Sequence, residues 1–367
     1  MRKLLLGLGF GLAAAAVAQG QGQAPGAPAN LQATRDPRYQ DVIAKCRTPP
    51  PAPAPRGGGA GRAGGGAGRG AAATGQGRGA AQAGPAEYTV TAIPGVIAAG
   101  QRWTSIYQTT GNNADGMIAS EDGGVLIAQN DNGMVVKLDP KGQATIVHRN
   151  TNTGGALAKS TKGALFVVSR GIGTAVTQLE PQRRVFANSF NGDPLECLGG
   201  VINDVTADSR GGVYFTMGGL FHASAKGVVT QHGKDLRTNG VLLSADEKTV
   251  YVTNQQSVAA FDVQPDGSLS NQRDFAKLSS GAGDGMALDA AGRLYVTSGG
   301  GPGGSPGVHI FSADGKPLGV IPSSRNLITV VFSGPEKKTL FAVANDQRNV
   351  DVYTIPMLAQ GPPGRAK

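Results

Sequence analysis

A short two-strand unit recurs six times along this chain, and in four of the six an Asp or Asn stands about ten residues ahead of the second strand. The second strands read Val125-Leu-Ile-Ala, Leu165-Phe-Val-Val, Val213-Tyr-Phe-Thr, Val250-Tyr-Val-Thr, Leu294-Tyr-Val-Thr and Leu340-Phe-Ala-Val. Their first residues fall 40, 48, 37, 44 and 46 positions apart, the period of a four-stranded propeller blade. Between them lie turn sequences such as Glu121-Asp-Gly-Gly, Asp208-Ser-Arg-Gly-Gly and Gln264-Pro-Asp-Gly, with no long helical period. That pattern belongs to an all-β chain. The expected fold is a six-bladed β-propeller over residues 87–358, one closed domain of about 45 residues per blade.

The flanks read differently. Residues 1–18 carry Arg2 and Lys3, an apolar run from Leu4 to Val17 and the ending Ala16-Val17-Ala18, the layout of a secretory signal peptide. The run is too short to span a membrane, and no second apolar stretch of spanning length follows. A periplasmic or secreted bacterial protein is expected. Residues 19–86 hold a short segment, 36–46, able to form a helical turn or two, and then a tract of Pro, Gly, Ala and Arg. From 47 to 85 that tract has almost no large apolar side chain to bury, so it reads as a disordered tether. Its role is a spacer or a weak contact with an anionic envelope surface. Residues 359–367 are expected to form a flexible tail.

The formal charge of +9 comes from these flanks. Arg2, Lys3, Arg47, Arg56, Arg62, Arg69, Arg78, Arg365 and Lys367 account for it, which leaves the blades near neutrality and without a nucleic-acid footprint. The two cysteines are too few for a disulfide scaffold. Cys46 and Cys197 either pair, tying the N-terminal segment to the third blade, or remain a mobile and a buried thiol.

Asp115, Asn203, Asn239 and Asp284 each precede the apolar strand that opens a unit. If that strand is innermost in its blade, radial repetition brings all four to one mouth of the central channel. Two carboxylates and two amide carbonyls there would make a hard-oxygen site for a divalent cation. The competing reading is local: Asp-Gly and Asn-Gly are common hairpin turns, needing only positive φ. Their recurrence ahead of the paired strands, rather than between them, favours a site.

The stretches Asn203-Asp-Val-Thr-Ala-Asp-Ser-Arg-Gly-Gly-Val-Tyr-Phe-Thr, Arg237-Thr-Asn-Gly-Val-Leu-Leu-Ser-Ala-Asp and Asp284-Gly-Met-Ala-Leu-Asp-Ala-Ala-Gly-Arg-Leu-Tyr-Val-Thr resemble the senescence marker protein/gluconolactonase/luciferin-regenerating enzyme family. These are six-bladed propellers that include metal-dependent lactonases. The resemblance implies metal ligands at Asp115 (Glu in the better-known members), Asn239 and Asp284, with Asn203 beside them or coordinating, and Asp284 as general base. Three positions depart from it. Val201 stands where a substrate-contacting Arg is frequent, Ser169-Arg170-Gly171 replaces a usual Glu, and Thr329 replaces a common Asn. Asp in place of Glu at 115 shortens one ligand, which a flexible Ca²⁺ shell absorbs better than rigid Mg²⁺. Ca²⁺ is therefore favoured, with Zn²⁺ or Mn²⁺ as substitutes.

The expected chemistry is hydrolysis of a small, sugar-type lactone: a metal-polarised carbonyl is attacked by water that Asp284 deprotonates. Asp204 would orient the water or cap a strand. His222 would touch substrate or sit as a satisfied histidine. The alternative is a non-catalytic propeller that binds calcium or another ligand. The four histidines have no zinc spacing, and no Gly-x-Ser-x-Gly elbow supports serine-hydrolase chemistry. Trp103 and Tyr107 are expected in an outer strand closing the ring with the last blade.

Overall fold

The computed structural model describes residues 32–48, 50, 88–110, 114–300, 306–345 and 349–367. The signal-peptide assignment at 1–18 and nearly all of the tether fall outside these residues. Six antiparallel four-stranded sheets make up the body, and in each the strands pair in order from inside to outside. The inner strands are Ala114–Ala119, Gly154–Lys159, Val205–Ala207, Thr238–Leu243, Gly283–Leu288 and Leu327–Ser333. Each touches the next, and the last touches the first, so the chain closes into the expected six-bladed propeller. The recurring strands found in the sequence are the second strands, from Val125–Gln129 in blade one to Thr339–Asn345 in blade six.

Closure is made by hydrogen bonds rather than by a terminal contact alone. Thr104–Thr110 pairs antiparallel with Asn349–Pro356, with Tyr107 opposite Val352, and supplies the outer strand of blade six. No open sheet edge is then left at the seam. Trp103 flanks this strand and donates its indole N–H to the Pro322 carbonyl at 3.0 Å. Six apolar clusters fill the structure, each shared by two neighbouring blades. Tyr295, Val308 and Ile310 of blade five, for example, pack on Leu327, Val330 and Phe332 of blade six. The large aromatics of the second strands, such as Tyr214 and Tyr295, are wholly buried in these seams.

The Asp-Gly and Asn-Gly pairs are not turns. Gly116, Gly240 and Gly285 have no left-handed φ; they lie where the pairing of inner with second strand slips, between Ala114 and Met117, Thr238 and Val241, and Gly283 and Met286. A side chain on Gly116 would strike the backbone of Gly155 and Ala156; one on Gly240, the Asp284 carbonyl; one on Gly285, Thr329. Glycine is there because adjacent inner strands approach too closely near the axis to hold a Cβ between them. The slip is a β-bulge, which re-aims the preceding Asp or Asn. Threonines at or next to the ends of second strands accept or supply the displaced hydrogen bonds. Thr216 donates to the Asn239 carbonyl, Thr297 to the Ile328 carbonyl at 2.8 Å, and Thr253 accepts from Gly240 N at 2.6 Å.

The end of the chain differs from the expected flexible tail. Residues 361–367 cross the far mouth of the channel, opposite the bulges. Ala119 N donates to the Ala366 carbonyl at 2.6 Å. Arg365 donates to the carbonyls of Ala207 and Ser244, both at 3.1 Å, and pairs with Glu247 at 2.9 Å. Lys337 reaches back to the Pro362 carbonyl at 2.8 Å. The carbonyls of Ala207 and Ser244 lie at and just past the far ends of their inner strands, where a cationic side chain of the tail donates to both. At the other end of the chain, the helix Tyr39–Ile43 and the disulfide Cys46–Cys197 hold the N-terminal segment against the rim. Among the described residues no helix is long and apolar enough to cross a membrane.

Replacing Gly116 with Ala is expected to cost about 3 kcal/mol, at the upper end for an overpacked site, because the obstacle is backbone. The midpoint of chemical denaturation measures this; an unchanged midpoint would mean that the inner strands part freely.

Candidate functional site

The register of the six sheets defines one ring of positions around the axis. Asp115, Gly155, Asn203, Asn239, Asp284 and Ile328 occupy equivalent places ahead of the first regular pair of each inner strand. The four residues singled out in the sequence therefore do meet. Asn203 Nδ2 donates to Asn239 Oδ1 at 2.5 Å, and Asn239 in turn hydrogen-bonds the Asp284 carboxyl. All four keep partial access to the channel.

A fifth residue joins them that sequence reasoning treated only as a departure. Blade two contributes Gly155 to the ring, and the guanidinium of Arg170 lies over it, where any side chain at 155 would collide with it. Arg170 is almost wholly buried, its side chain 2% exposed. Its Nη1 forms an ion pair with Asp115 Oδ2. Its Nη2 donates at 2.9 Å to both the carbonyl and Oδ1 of Asn203, and Nε donates to the Ile202 carbonyl at 2.9 Å. With its amide turned so that nitrogen faces the Gly154 carbonyl at 2.7 Å, Asn130 accepts from Nη1 at 2.9 Å. All five donors of the guanidinium are thereby used. The resemblance expects an arginine at Val201; this chain brings one to the same stretch of backbone from the preceding blade.

The electrostatics follow from this arrangement. Asp284 opens toward the channel yet is enclosed by protein, and burial is the largest influence on its carboxyl, which is pushed well above the usual carboxylate range. The Asp115 and Asp204 carboxylates push it the same way, while Arg170 and the Asn239 hydrogen bond oppose them. Protein around a carboxyl and like charges beside it disfavour its anion. The result is a carboxyl that holds a proton more tightly than an exposed Asp and is a stronger base once ionised.

A divalent cation fits these donors poorly. One oxygen of Asp115 and the side-chain oxygen of Asn203 accept from Arg170, and that of Asn239 accepts from Asn203. Ca²⁺ asks for about six to eight oxygens, and a dication beside a guanidinium is repelled. Among the described residues no group of three or more His, Cys, Asp or Glu is placed to hold a metal.

Of the two further sequence candidates, one lies beneath the ring and the other at the far end of its blade. Asp204, directly below Asn203, is buried and braces the wall: Oδ2 accepts from Val241 N at 2.9 Å, joining blades three and four, and Oδ1 accepts from Val205 N at 2.9 Å and from Lys367 Nζ. His222 sits on the third strand of blade three, its ring stacked on Tyr214 at 4.5 Å between centroids and 3.4 Å from Asp208. Asp208 follows the inner strand's last residue, so His222 belongs to the end of the blade away from the ring.

Comparison with known proteins agrees with this fold. The family model described as SMP-30/Gluconolactonase/LRE-like region matches residues 143–345, more than half of the chain. A gluconolactonase of Zymomonas mobilis is 26% identical over 255 residues, which are 59% of this chain and 68% of that protein. Among solved structures, a gluconolactonase of Xanthomonas campestris superposes with a TM-score of 0.60 at 20% identity, over 70% of this chain and 90% of that one. A calcium-binding regucalcin of Agrobacterium tumefaciens gives 0.54 at 17% identity, over 69% of this chain and 93% of that one. At these identities the superpositions speak for the fold.

Replacing Arg170 with Met leaves the Asp115 carboxylate without its partner. The expected loss of stability is about 3 kcal/mol, the low end for a broken buried pair, since Asp115 remains 27% exposed. The double variant Arg170→Met/Asp115→Leu is expected to regain part of it in denaturant titrations; additive losses would mean the pair carries no coupling.

Proposed function

This chain belongs to the SMP-30/gluconolactonase/LRE-like family, and we propose that it is a hydrolase of the gluconolactonase type, opening a small sugar-type lactone at the mouth of its channel. The observation that carries the reading is the meeting of Asp284 with Asn239, Asn203 and Asp115 at one end of the axis, in a chain similar to a curated gluconolactonase.

The lactone would enter from the ring end, since residues of the tail cross the other. Ionised Asp284 takes a proton from water, the water oxygen bonds to the lactone carbonyl carbon, and the ring C–O bond of the tetrahedral intermediate then breaks. The proton held by Asp284 passes to the departing alkoxide, giving a hydroxy acid. Asn239 holds the carboxyl in place, and enclosure by protein raises its basicity above that of an exposed Asp. The divalent ion implied by the resemblance, Ca²⁺ before Zn²⁺ or Mn²⁺, would supply a Lewis acid; the donors engaged by Arg170 argue against that here, and no step is assigned to it.

Export is part of the proposal. The pattern of residues 1–18 supports it, and so does the Cys46–Cys197 disulfide, a bond that persists in oxidising compartments. The tract between would space the propeller from an envelope surface. A second reading, a propeller that binds a ligand without turnover, is favoured by Val201 and by how fully the polar groups of the ring satisfy one another.

Asp284→Asn is expected to lower kcat at least about 100-fold on a lactone panel, the scale of a lost general base. For the parent, the rate should rise with pH through a value above the ordinary carboxylate range, because the base acts only when ionised and its pKa is raised. Full activity in the variant would remove Asp284 from the chemistry, and no turnover of any lactone by the parent would favour the binder.

A further inference from the structure

We propose that Arg170 is the resident cation of the axial ring: its guanidinium stands where a divalent ion would be held, so the site of this chain is assembled without a metal. The inference concerns what organises the site and leaves open whether the site turns over lactones.

The geometry carries it. Around the ring, blade two alone contributes a glycine, and Gly155 leaves a sector with no side chain of its own. Arg170, from the end of the second strand of the same blade, enters that sector and reaches Asp115 on one side and Asn203 on the other. These are two of the four oxygen donors that would face a metal. Asn203 then turns its amide nitrogen away from the guanidinium to Asn239, whose oxygen is thereby occupied as well. The chain of hydrogen bonds runs Arg170, Asn203, Asn239, Asp284, and a fixed single charge at its head sets the direction of every amide in it. A planar five-donor cation can orient several acceptors at once, as a spherical ion does, and cannot be removed by dilution. Asn130 and the Ile202 carbonyl lock it from behind. Neither Lys nor Gln could satisfy that set of acceptors, because neither carries five donors in one plane. Arg170 is thus a positioning residue, acting on Asp284 through the two amides.

Calorimetric titration of the chelator-treated full chain with calcium chloride tests this, read beside the thermal unfolding midpoint with and without EDTA. The parent is expected to show no saturable one-to-one binding and no shift with EDTA. Arg170→Gln, which empties the sector and keeps a neutral polar side chain, is expected to bind one Ca²⁺ at least about tenfold more tightly than the parent, with a midpoint that rises with calcium. Adding Asp115→Asn should abolish that gain. One-to-one binding by the parent that Asp284→Asn removes would overturn the proposal, since Arg170 would then yield to the ion; so would a folded Arg170→Gln that binds no calcium. If Arg170→Gln does not fold, Arg170→Met takes its place, and the parent's titration decides in either case. Lactone turnover separates the two readings. Hydrolysis that survives EDTA supports both, hydrolysis lost with EDTA overturns the resident cation and leaves the hydrolase, and a parent with neither calcium binding nor turnover upholds the cation and sinks the hydrolase.

Discussion

Six strands cannot crowd around one axis with side chains at every position, and the propeller meets this limit with glycine and β-bulges. Gly116, Gly240 and Gly285 let neighbouring inner strands come within backbone contact. The bulge at each swings the residue before it into the channel. Crowding and function share one cause: the local distortion that lets the ring close also delivers Asp115, Asn239 and Asp284 to a common point. The threonines at the ends of the second strands complete the arrangement by taking up backbone groups that the bulges displace.

Carboxylates gathered in this way repel one another, and something positive must stand among them or they take up protons. Both responses occur here. Asp115 has Arg170 for a partner, and Asp284, farther along the hydrogen-bonded chain, is driven toward its neutral form. Two acids in one ring thus meet different surroundings: a guanidinium pairs with one, while enclosure and neighbouring carboxylates press on the other. The asymmetry originates in a glycine: had blade two carried an Asp or Asn at 155, no room would remain for the guanidinium.

Most of the architecture could be read from the order of residues, because it rests on repetition. The apolar second strands, the spacing between them and the return of the Trp103 and Tyr107 region to close the ring are one-dimensional signals of a six-fold pattern. Convergence of Asp115, Asn203, Asn239 and Asp284 was legible for the same reason, since equivalent positions in equivalent blades must meet on the axis. What repetition does not encode was missed. Arg170 matters because of what is absent across from it, and only the register of blade two reveals that Gly155 is the vacancy it fills; an Arg set within Val-Val-Ser-Arg-Gly beside a Gly-Gly pair was the available hint. Asp204 and His222 sit in stretches rich in family likeness, yet their side chains serve the wall between blades and a distal aromatic stack. The tail looked unstructured because it is short and rich in Gly and Pro, and several of its partners are backbone carbonyls, which carry no residue identity.

The crossing of the far mouth by residues 361–367 has a kinetic meaning. A channel crossed at one end by chain favours traffic through the other, so molecules that enter and leave share one path. Lys367, the last residue of the chain, is lodged in that obstructed end beneath the ring, against Asp204.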